Sequence, residues 1–210
     1  MSAFPNLTVV NHPLLHDKLR GIRDKHTHFA KFRRLIEAIS QALFWEASRD
    51  LPLAPAEVET PLETTAAQKL ARPIALVPIL RAGLGMVNGI LQIAPQAHVG
   101  MLGMYRNEET LQPVDYYRRF PPGIETMDVF LLDPMLATGG SAVAAVDKLK
   151  ATGVQYLKML AIIAAPEGVQ AMLEAHPDVS IFAAALDRQL NDKGYILPGL
   201  GDAGDRYFGT

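Results

Sequence analysis

The apolar run Val129-Phe130-Leu131-Leu132 leads directly into Asp133-Pro134-Met135-Leu136-Ala137, then Thr138-Gly139-Gly140-Ser141, then a helix-forming stretch from Ala142 to Lys150. A strand that feeds a glycine turn and then a helix commits this part of the chain to a βα unit. The same turn makes an anion site. Adjacent glycines let the backbone curl with its N–H groups pointing inward, and the helix presents its positive N-terminal end to the same point. Thr138 and Ser141 add hydroxyl donors. An acid at the strand's carboxyl end does not suit phosphate alone. It suits a ligand with hydroxyls beside its phosphate, because a carboxylate accepts from a diol. A sugar phosphate satisfies both halves.

From residue 74 onward, short apolar runs alternate with helical stretches. Strands are expected at Ile74 to Leu80, His98 to Tyr105, Asp128 to Leu132, Leu157 to Ala164 and Ser180 to Ala185. Helices are expected at Leu84 to Ile93, Ser141 to Ala151 and Glu167 to Ala175. Strands that are apolar throughout and separated by helices indicate an α/β fold, a mostly parallel sheet flanked by helices. The N-terminal part reads as helical. Asn11 is the expected cap before Pro13, with Leu15, Leu19 and Ile22 as the buried stripe. Phe29, Phe32, Ile36, Ile39 and Leu43 continue at helical spacing to an end near Asp50-Leu51-Pro52, and Pro52, Pro55 and Pro61 mark a connecting segment.

Ligands of such sheets lie beyond the carboxyl ends of the strands, so the loops there carry the information. The strand ending at Leu80 is followed by Arg81-Ala82-Gly83-Leu84-Gly85, a guanidinium placed to clamp a diphosphate bidentately. The strand ending at Tyr105 is followed by Arg106-Asn107-Glu108-Glu109-Thr110 and a polar, aromatic stretch through Tyr116-Tyr117-Arg118-Arg119. A loop that long in a compact domain is functional or disordered. The tail from Tyr195 to Arg206 is glycine-rich and punctuated by Asp202 and Asp205, backbone that can approach a flat ligand closely. Read singly, each segment has an ordinary explanation as a turn or a surface arginine. Their coincidence favours a sugar-phosphate or nucleotide site.

Other chemistries are excluded. A net charge of −2 gives no basic field for nucleic acid or an anionic membrane. The absence of cysteine removes disulfides, thiolate metal sites and a cysteine nucleophile, and fits a cytoplasmic protein. Met1 to Thr8 lacks a basic region followed by an apolar run, so no signal peptide is expected, and no apolar stretch approaches the roughly 20 residues of a membrane span. His26 and His28 have no third ligand at metal spacing and read as a solvated helix start, so no protein-held metal is expected. Walker and Gly-x-Ser-x-Gly motifs are missing, and Gly83-Leu84-Gly85 lacks the third glycine of a dinucleotide turn, the place being taken by Asn88. Trp45, with Phe44 and Ala47, reads as helix packing, and Glu108-Glu109 as a solvated loop tip.

These residues carry a resemblance. Asp133 to Ser141 resembles the phosphoribosyl-diphosphate (PRPP) motif of the type I phosphoribosyltransferases. Val77 to Met86, Tyr105 to Thr110, Tyr195 through Thr210, and the stretch from His12-Pro13-Leu14 to Arg49-Asp50-Leu51-Pro52 narrow it to the uracil phosphoribosyltransferase family. The resemblance implies a single phosphoribosyltransferase domain over residues 1–210. Within it, residues 1–60 form an N-terminal helical part, 70–190 a PRPP-binding core, and 191–210 a uracil-binding segment, the C-terminal base-binding hood. By position it assigns PRPP binding to Arg81, Arg106, Asp133, Pro134, Met135, Leu136, Ala137, Thr138, Gly139, Gly140, Ser141 and Asp202. Uracil binding falls to Ile196, Gly201, Asp202 and Ala203, and catalysis to Arg106 and Asp202. The implied reaction is that of pyrimidine salvage, uracil plus PRPP giving UMP and diphosphate, with Mg2+ riding on the PRPP. The resemblance also admits GTP as an effector and implies a homo-oligomer, dimer or higher; the apolar N-terminal helices, with Leu35, Ile36, Phe44 and Trp45, are expected to supply subunit contacts.

Physical chemistry agrees with these assignments. Uracil presents a carbonyl–NH–carbonyl edge that the backbone of a glycine-rich loop can read. Cleavage at the anomeric carbon builds positive charge there and negative charge on the departing diphosphate, by analogy with glycoside cleavage. Arg81 and Arg106 would stabilise the leaving group, Asp133 would hold the ribose, and Asp202 would accept the N1 proton directly or through water. Residues 106–119 are read as a lid that excludes water. Many type I enzymes place paired acids where this chain has Asp133-Pro134, a departure that looks like the uracil branch. An orotate enzyme would need a cation in the segment from Ile196 to Ala203, which offers none. The alternative from another class is a uridine-nucleotide-sensing, RNA-binding regulator on the same fold, which would be expected to show a basic face.

Overall fold

The protein is described by a computed structural model over residues 4–106 and 113–210, leaving aside the side chains of Tyr105, Arg106 and Pro113. Its strands are β1 (Leu7–Val9), β2 (Leu53–Glu59), β3 (Thr64–Leu70), β4 (Ile74–Leu80), β5 (His98–Val99), β6 (Met101–Arg106), β7 (Pro113–Arg119), β8 (Asp128–Leu132), β9 (Met135–Leu136), β10 (Tyr156–Ala164), β11 (Ser180–Leu186), β12 (Gln189–Leu190) and β13 (Ile196–Leu197). The helices are α1 (Pro13–Arg23), α2 (Phe29–Ala47), α3 (Leu84–Leu91), α4 (Gly140–Lys150), α5 (Pro166–Ala175) and α6 (Ala203–Phe208). The main sheet runs β1-β11-β10-β8-β4-β6-β7, with β5 beside β4 and β9 beside β10. Its pairs are parallel except β6 with β7.

The apolar runs of the central strands feed two cores, because successive side chains point to opposite faces. Leu76, Phe130, Leu132, Leu160 and Ile162 join one buried cluster with residues of α1, α2, α3 and α6. Val77, Ile79, Val129, Leu131, Met159 and Ala161 join the other with residues of α4 and α5. Asp128, at the start of β8, is buried, and Arg72 forks onto it at 2.7 and 3.1 Å while lying 3.6 Å above the Tyr156 ring.

The expected strands and helices of the core are present, with shifts of a few residues at their ends. The strand expected over His98 to Tyr105 divides at Gly100, whose amide donates to the Leu76 carbonyl. Other expectations need correction. His12, not Asn11, caps α1, its Nδ1 accepting from the Leu14 amide at 3.2 Å; Asn11 is engaged by His16 instead. His28 caps α2 in the same way, so the solvated helix start is a functional cap. The N-terminal part is not wholly helical. β1 pairs in parallel with β11, and the proline-marked segment is the β2–β3 hairpin, registered from Leu53↔Leu70 to Glu59↔Thr64. Pro55 is tolerated there because a two-stranded ribbon is all edge.

Residues 113–119 are likewise strand rather than loop, running antiparallel along β6. Asn107, Glu108, Glu109 and Thr110 lie outside the described residues. Trp45 does not pack as expected. It is 67% exposed, whereas Phe44 and Ala47 are buried.

Phe130 links the central strand to α2, its ring edge-on to Phe44 at a centroid distance of 4.9 Å. Phe130→Ala is expected to lower stability by about 3–5 kcal/mol, the usual cost of emptying a fully buried aromatic site. An unfolding free energy from urea titration lowered by less than about 1 kcal/mol would show that α2 is not held through this contact.

Candidate active site

The connection leaving β4 leads to β6 on one side of it, and β8 lies on the other. That is a topological switch point, where the loops after adjacent parallel strands diverge and open a crevice. The strands start level, Ile74 beside Asp128, and β4 runs two residues past Pro78, the partner of the last β8 residue Leu132. The two loops read from sequence as anion sites therefore leave neighbouring strand ends. A Cβ at Gly83 would sit 2.3 Å from the Leu132 carbonyl oxygen and 2.7 Å from that of Ile79. Only glycine lets the Arg81-Ala82-Gly83 turn press onto the end of β8. The Leu80–Arg81 peptide is cis.

In the loop after β8, the Asp133 amide donates to the Leu160 carbonyl at 3.2 Å, and the Asp133 carboxylate accepts from the Met135 amide at 3.2 Å. The Pro134 carbonyl accepts from the amides of Ile162 and Ile163, so the loop is held against β10 by backbone. Pro134 and Leu136 are buried; they frame the loop rather than face the crevice with side chains. Gly139 turns the chain into α4 with φ of +83°, and a Cβ there would lie 2.8 Å from that of Ala171. No side chain caps α4. Its first-turn amides, which helix geometry leaves without partners, open beside the exposed Thr138 and Gly140, with Ser141 half-buried. The arrangement leaves donors that an anion could satisfy.

The segment read from sequence as base-binding comes to the same edge. Ile196 and Ala203 are buried, the Leu197–Pro198 peptide is cis, and Gly201 has φ of +83°. Asp202 caps α6, Oδ1 accepting from the Asp205 amide at 2.8 Å. The helix lies on the start of α3, where a Cβ at Gly85 would meet the Tyr207 ring at 2.7 Å. Arg81 donates to Asp205 Oδ1 at 3.2 Å and stands 5.7 Å from the Phe208 ring. The turn after β4 and the C-terminal segment thus share an ion pair. Arg106 ends β6, the other neighbour of β4, and its side chain lies outside the described residues.

Residues 9–210 match the family model for uracil phosphoribosyltransferase. The chain belongs to the uracil phosphoribosyltransferase family. A relative from Streptococcus pneumoniae named uracil phosphoribosyltransferase is 54% identical over 205 residues, covering 97% of this chain and 98% of its own. The solved structure of the AQ2163 protein from Aquifex aeolicus superposes with a TM-score of 0.91 at 42% identity, covering 96% of this chain and 97% of that one. An adenine phosphoribosyl transferase from Trypanosoma brucei, at 14% identity, shares the fold with a TM-score of 0.60, covering 96% of this chain and 92% of its own. The fold is the type I phosphoribosyltransferase one expected, and the RNA-binding alternative finds no support.

Several contacts in this family member escaped sequence reasoning. Asp205 as the partner of Arg81 had no motif to announce it. Asp187 did have a signal, because it directly follows β11 at the carboxyl edge of the sheet.

Asp133 retains an accessible edge, yet the protein around it removes enough solvent to push its carboxyl pKa up to about 7, against the pull of the Met135 amide. The sign follows from linkage. An acid whose folded pKa is raised favours the folded state below its unfolded pKa and loses that contribution as pH rises through the folded value. The window here runs from about pH 4 to 7. The melting temperature of Asp133→Asn relative to the parent protein is therefore expected to climb across that window, with no further change above it. A pH-independent difference would show that Asp133 is ionised throughout in the free protein.

Proposed function

We propose that this chain transfers the phosphoribosyl group of PRPP to N1 of uracil, breaking the bond from the anomeric carbon to the diphosphate and releasing UMP and diphosphate. One observation carries the reading: the uncapped α4, Asp133, the Arg81 turn and the glycine-rich segment meet over adjacent strand ends. The first-turn amides of α4 bind the 5-phosphate, with Thr138 and Ser141 as hydroxyl donors. Asp133 accepts from the ribose hydroxyls, and their hydrogen bonds favour its ionised form once the ligand is bound.

Arg81 is the diphosphate ligand. Its pairing with Asp205 is exposed on both sides, at 61% and 51%, and such pairs are worth about 0–1 kcal/mol. A bidentate, charge-assisted contact to diphosphate is stronger, so Arg81 changes partner when PRPP arrives. Backbone around Ile196, Gly201 and Ala203 reads the uracil edge. Capping α6 occupies Oδ1 of Asp202 and leaves Oδ2 to accept the N1 proton. Arg106 stabilises the leaving group, and the β6–β7 hairpin carries the segment read as a lid.

Among the described residues no group of three or more His, Asp or Glu could hold a metal ion. Magnesium carried by PRPP would neutralise charge on the leaving diphosphate. Leu14 and Trp45, 65% and 67% exposed, line a cavity of about 700 Å³ between α1 and α2, which favours a homo-oligomer that covers this face. GTP regulation rests on the family resemblance and a cytoplasmic location on the absence of cysteine; no described helix is long and apolar enough to cross a membrane.

Nucleotide formation from PRPP and magnesium, with uracil, orotate, cytosine and hypoxanthine offered separately, tests the reaction. UMP from uracil alone is expected, and no product from any base despite PRPP binding overturns it. Asp133→Asn is expected to raise KM for PRPP roughly ten-fold through the lost charge-assisted hydrogen bonds, with KM for uracil little changed.

A further inference from the structure

The segment assigned to uracil is poorly equipped to hold its own shape. Gly199 and Gly201 both have positive φ, at +59° and +83°, and neither has a side chain to anchor it. Glycine-rich backbone of this kind is free to wander, and a base that reads it must then bear the cost of ordering it.

Gly199, however, is gripped on both of its backbone groups. Its amide donates to Asp187 Oδ2 at 2.8 Å, and its carbonyl accepts from Arg23 Nη1 at 2.9 Å. Arg23 and Asp187 close the ring with a fork, Nη1 to Oδ2 at 2.8 Å and Nη2 to Oδ1 at 2.6 Å. The Asp187 side chain is 5% exposed, and its own amide donates to the Ala164 carbonyl at 2.8 Å, at the end of β10. The ring thus fastens the segment to the sheet edge through Asp187 and to the last residue of α1 through Arg23. Arg206 adds a second fastening between the same parts. It donates to the Leu200 carbonyl at 2.8 Å, to the Asp24 carbonyl at 2.6 Å and to that of Ile22.

We propose that Arg23 and Asp187 are positioning residues for the base: their ring with Gly199 pre-forms the backbone that recognises uracil and so sets uracil affinity and base selectivity. The proposal rests on assigning Ile196, Gly201 and Ala203 to uracil. It predicts a split between the substrates. The loop from Asp133 to Ser141 takes its shape from β10 through the Leu160, Ile162 and Ile163 contacts, not from the ring. Asp202, the one residue of the segment also assigned to PRPP, is held separately by the Asp205 amide at 2.8 Å, so loosening the ring transfers ordering cost chiefly to uracil.

Steady-state kinetics on Asp187→Asn and Arg23→Lys, each checked by its melting temperature, test this. Asp187→Asn keeps the shape and loses the charge. It is expected to raise KM for uracil roughly ten-fold, with KM for PRPP within about two-fold, and to narrow the preference for uracil over cytosine. Arg23→Lys keeps the charge and loses the fork, and its effect on uracil is expected to be intermediate. Equal rises in both KM values, or a lower melting temperature with both unchanged, would make the ring a general stabiliser and overturn the proposal. Ala203→Val separates the two levels of inference. If it raises KM for uracil while both ring variants leave it unchanged, the ring fails and the base assignment stands. If Ala203→Val also leaves uracil unaffected, the base assignment itself fails and takes the proposal with it.

Discussion

The contact on which the rest depends is the meeting of Gly83 with the carbonyl of Leu132. With β4 parallel to β8 and two residues longer, the turn leaving β4 folds back over the end of β8, and only a residue without a Cβ leaves room. That crossing sets Arg81 beside the loop that begins at Asp133. It also fixes where α3 starts, which decides where α6 can lie, since Tyr207 rests on Gly85. A sheet-edge contact between backbone atoms thereby sets the relative placement of the groups read as binding diphosphate, ribose phosphate and base.

Charge is distributed around this frame according to solvent access. Asp133 stands where solvent is scarce and is kept from ionising freely, so its negative charge is best tolerated when a donor reaches it, the role proposed for the ribose hydroxyls. Arg81 and Asp205 stand in water, where an ion pair is cheap to exchange. Arg23 and Asp187 are closer to the buried limit, with the fork and the Gly199 amide satisfying the carboxylate. The first pair can be traded for a ligand. The second is tied to the backbone and stays.

The bounds of β4 and β8 were legible in the sequence because both faces of these strands are covered, so apolar runs begin and end with the strands themselves. The loops after them were legible for a related reason. Glycines and charges at the end of an apolar run have few structural duties to explain them. What stayed hidden had no such contrast. β1 is three residues long and stabilised by its edge pairing with β11. The β2–β3 hairpin is mostly exposed, leaving no inside and outside to alternate, and β7, also exposed over Tyr116 and Tyr117, reads as polar loop. In the site itself, the motif residues around Asp133 and Gly139 could be named from local order alone. The Arg23–Asp187–Gly199 ring joins positions 164 and 12 residues apart from Asp187, a relation that only the fold creates.

The absence of a side-chain cap on α4 has an evolutionary consequence. On the proposed reading, anion recognition there is vested in main-chain amides, and the segment assigned to the base likewise offers main chain and small residues. Main-chain groups are common to all side chains, so single-residue drift at exposed positions such as Thr138 can tune this surface but cannot readily rewrite what it recognises. A change of ligand would have to come through altered loop length or a moved glycine. Divergence in this architecture should accordingly be recorded in insertions and deletions at the strand ends more than in substitutions there.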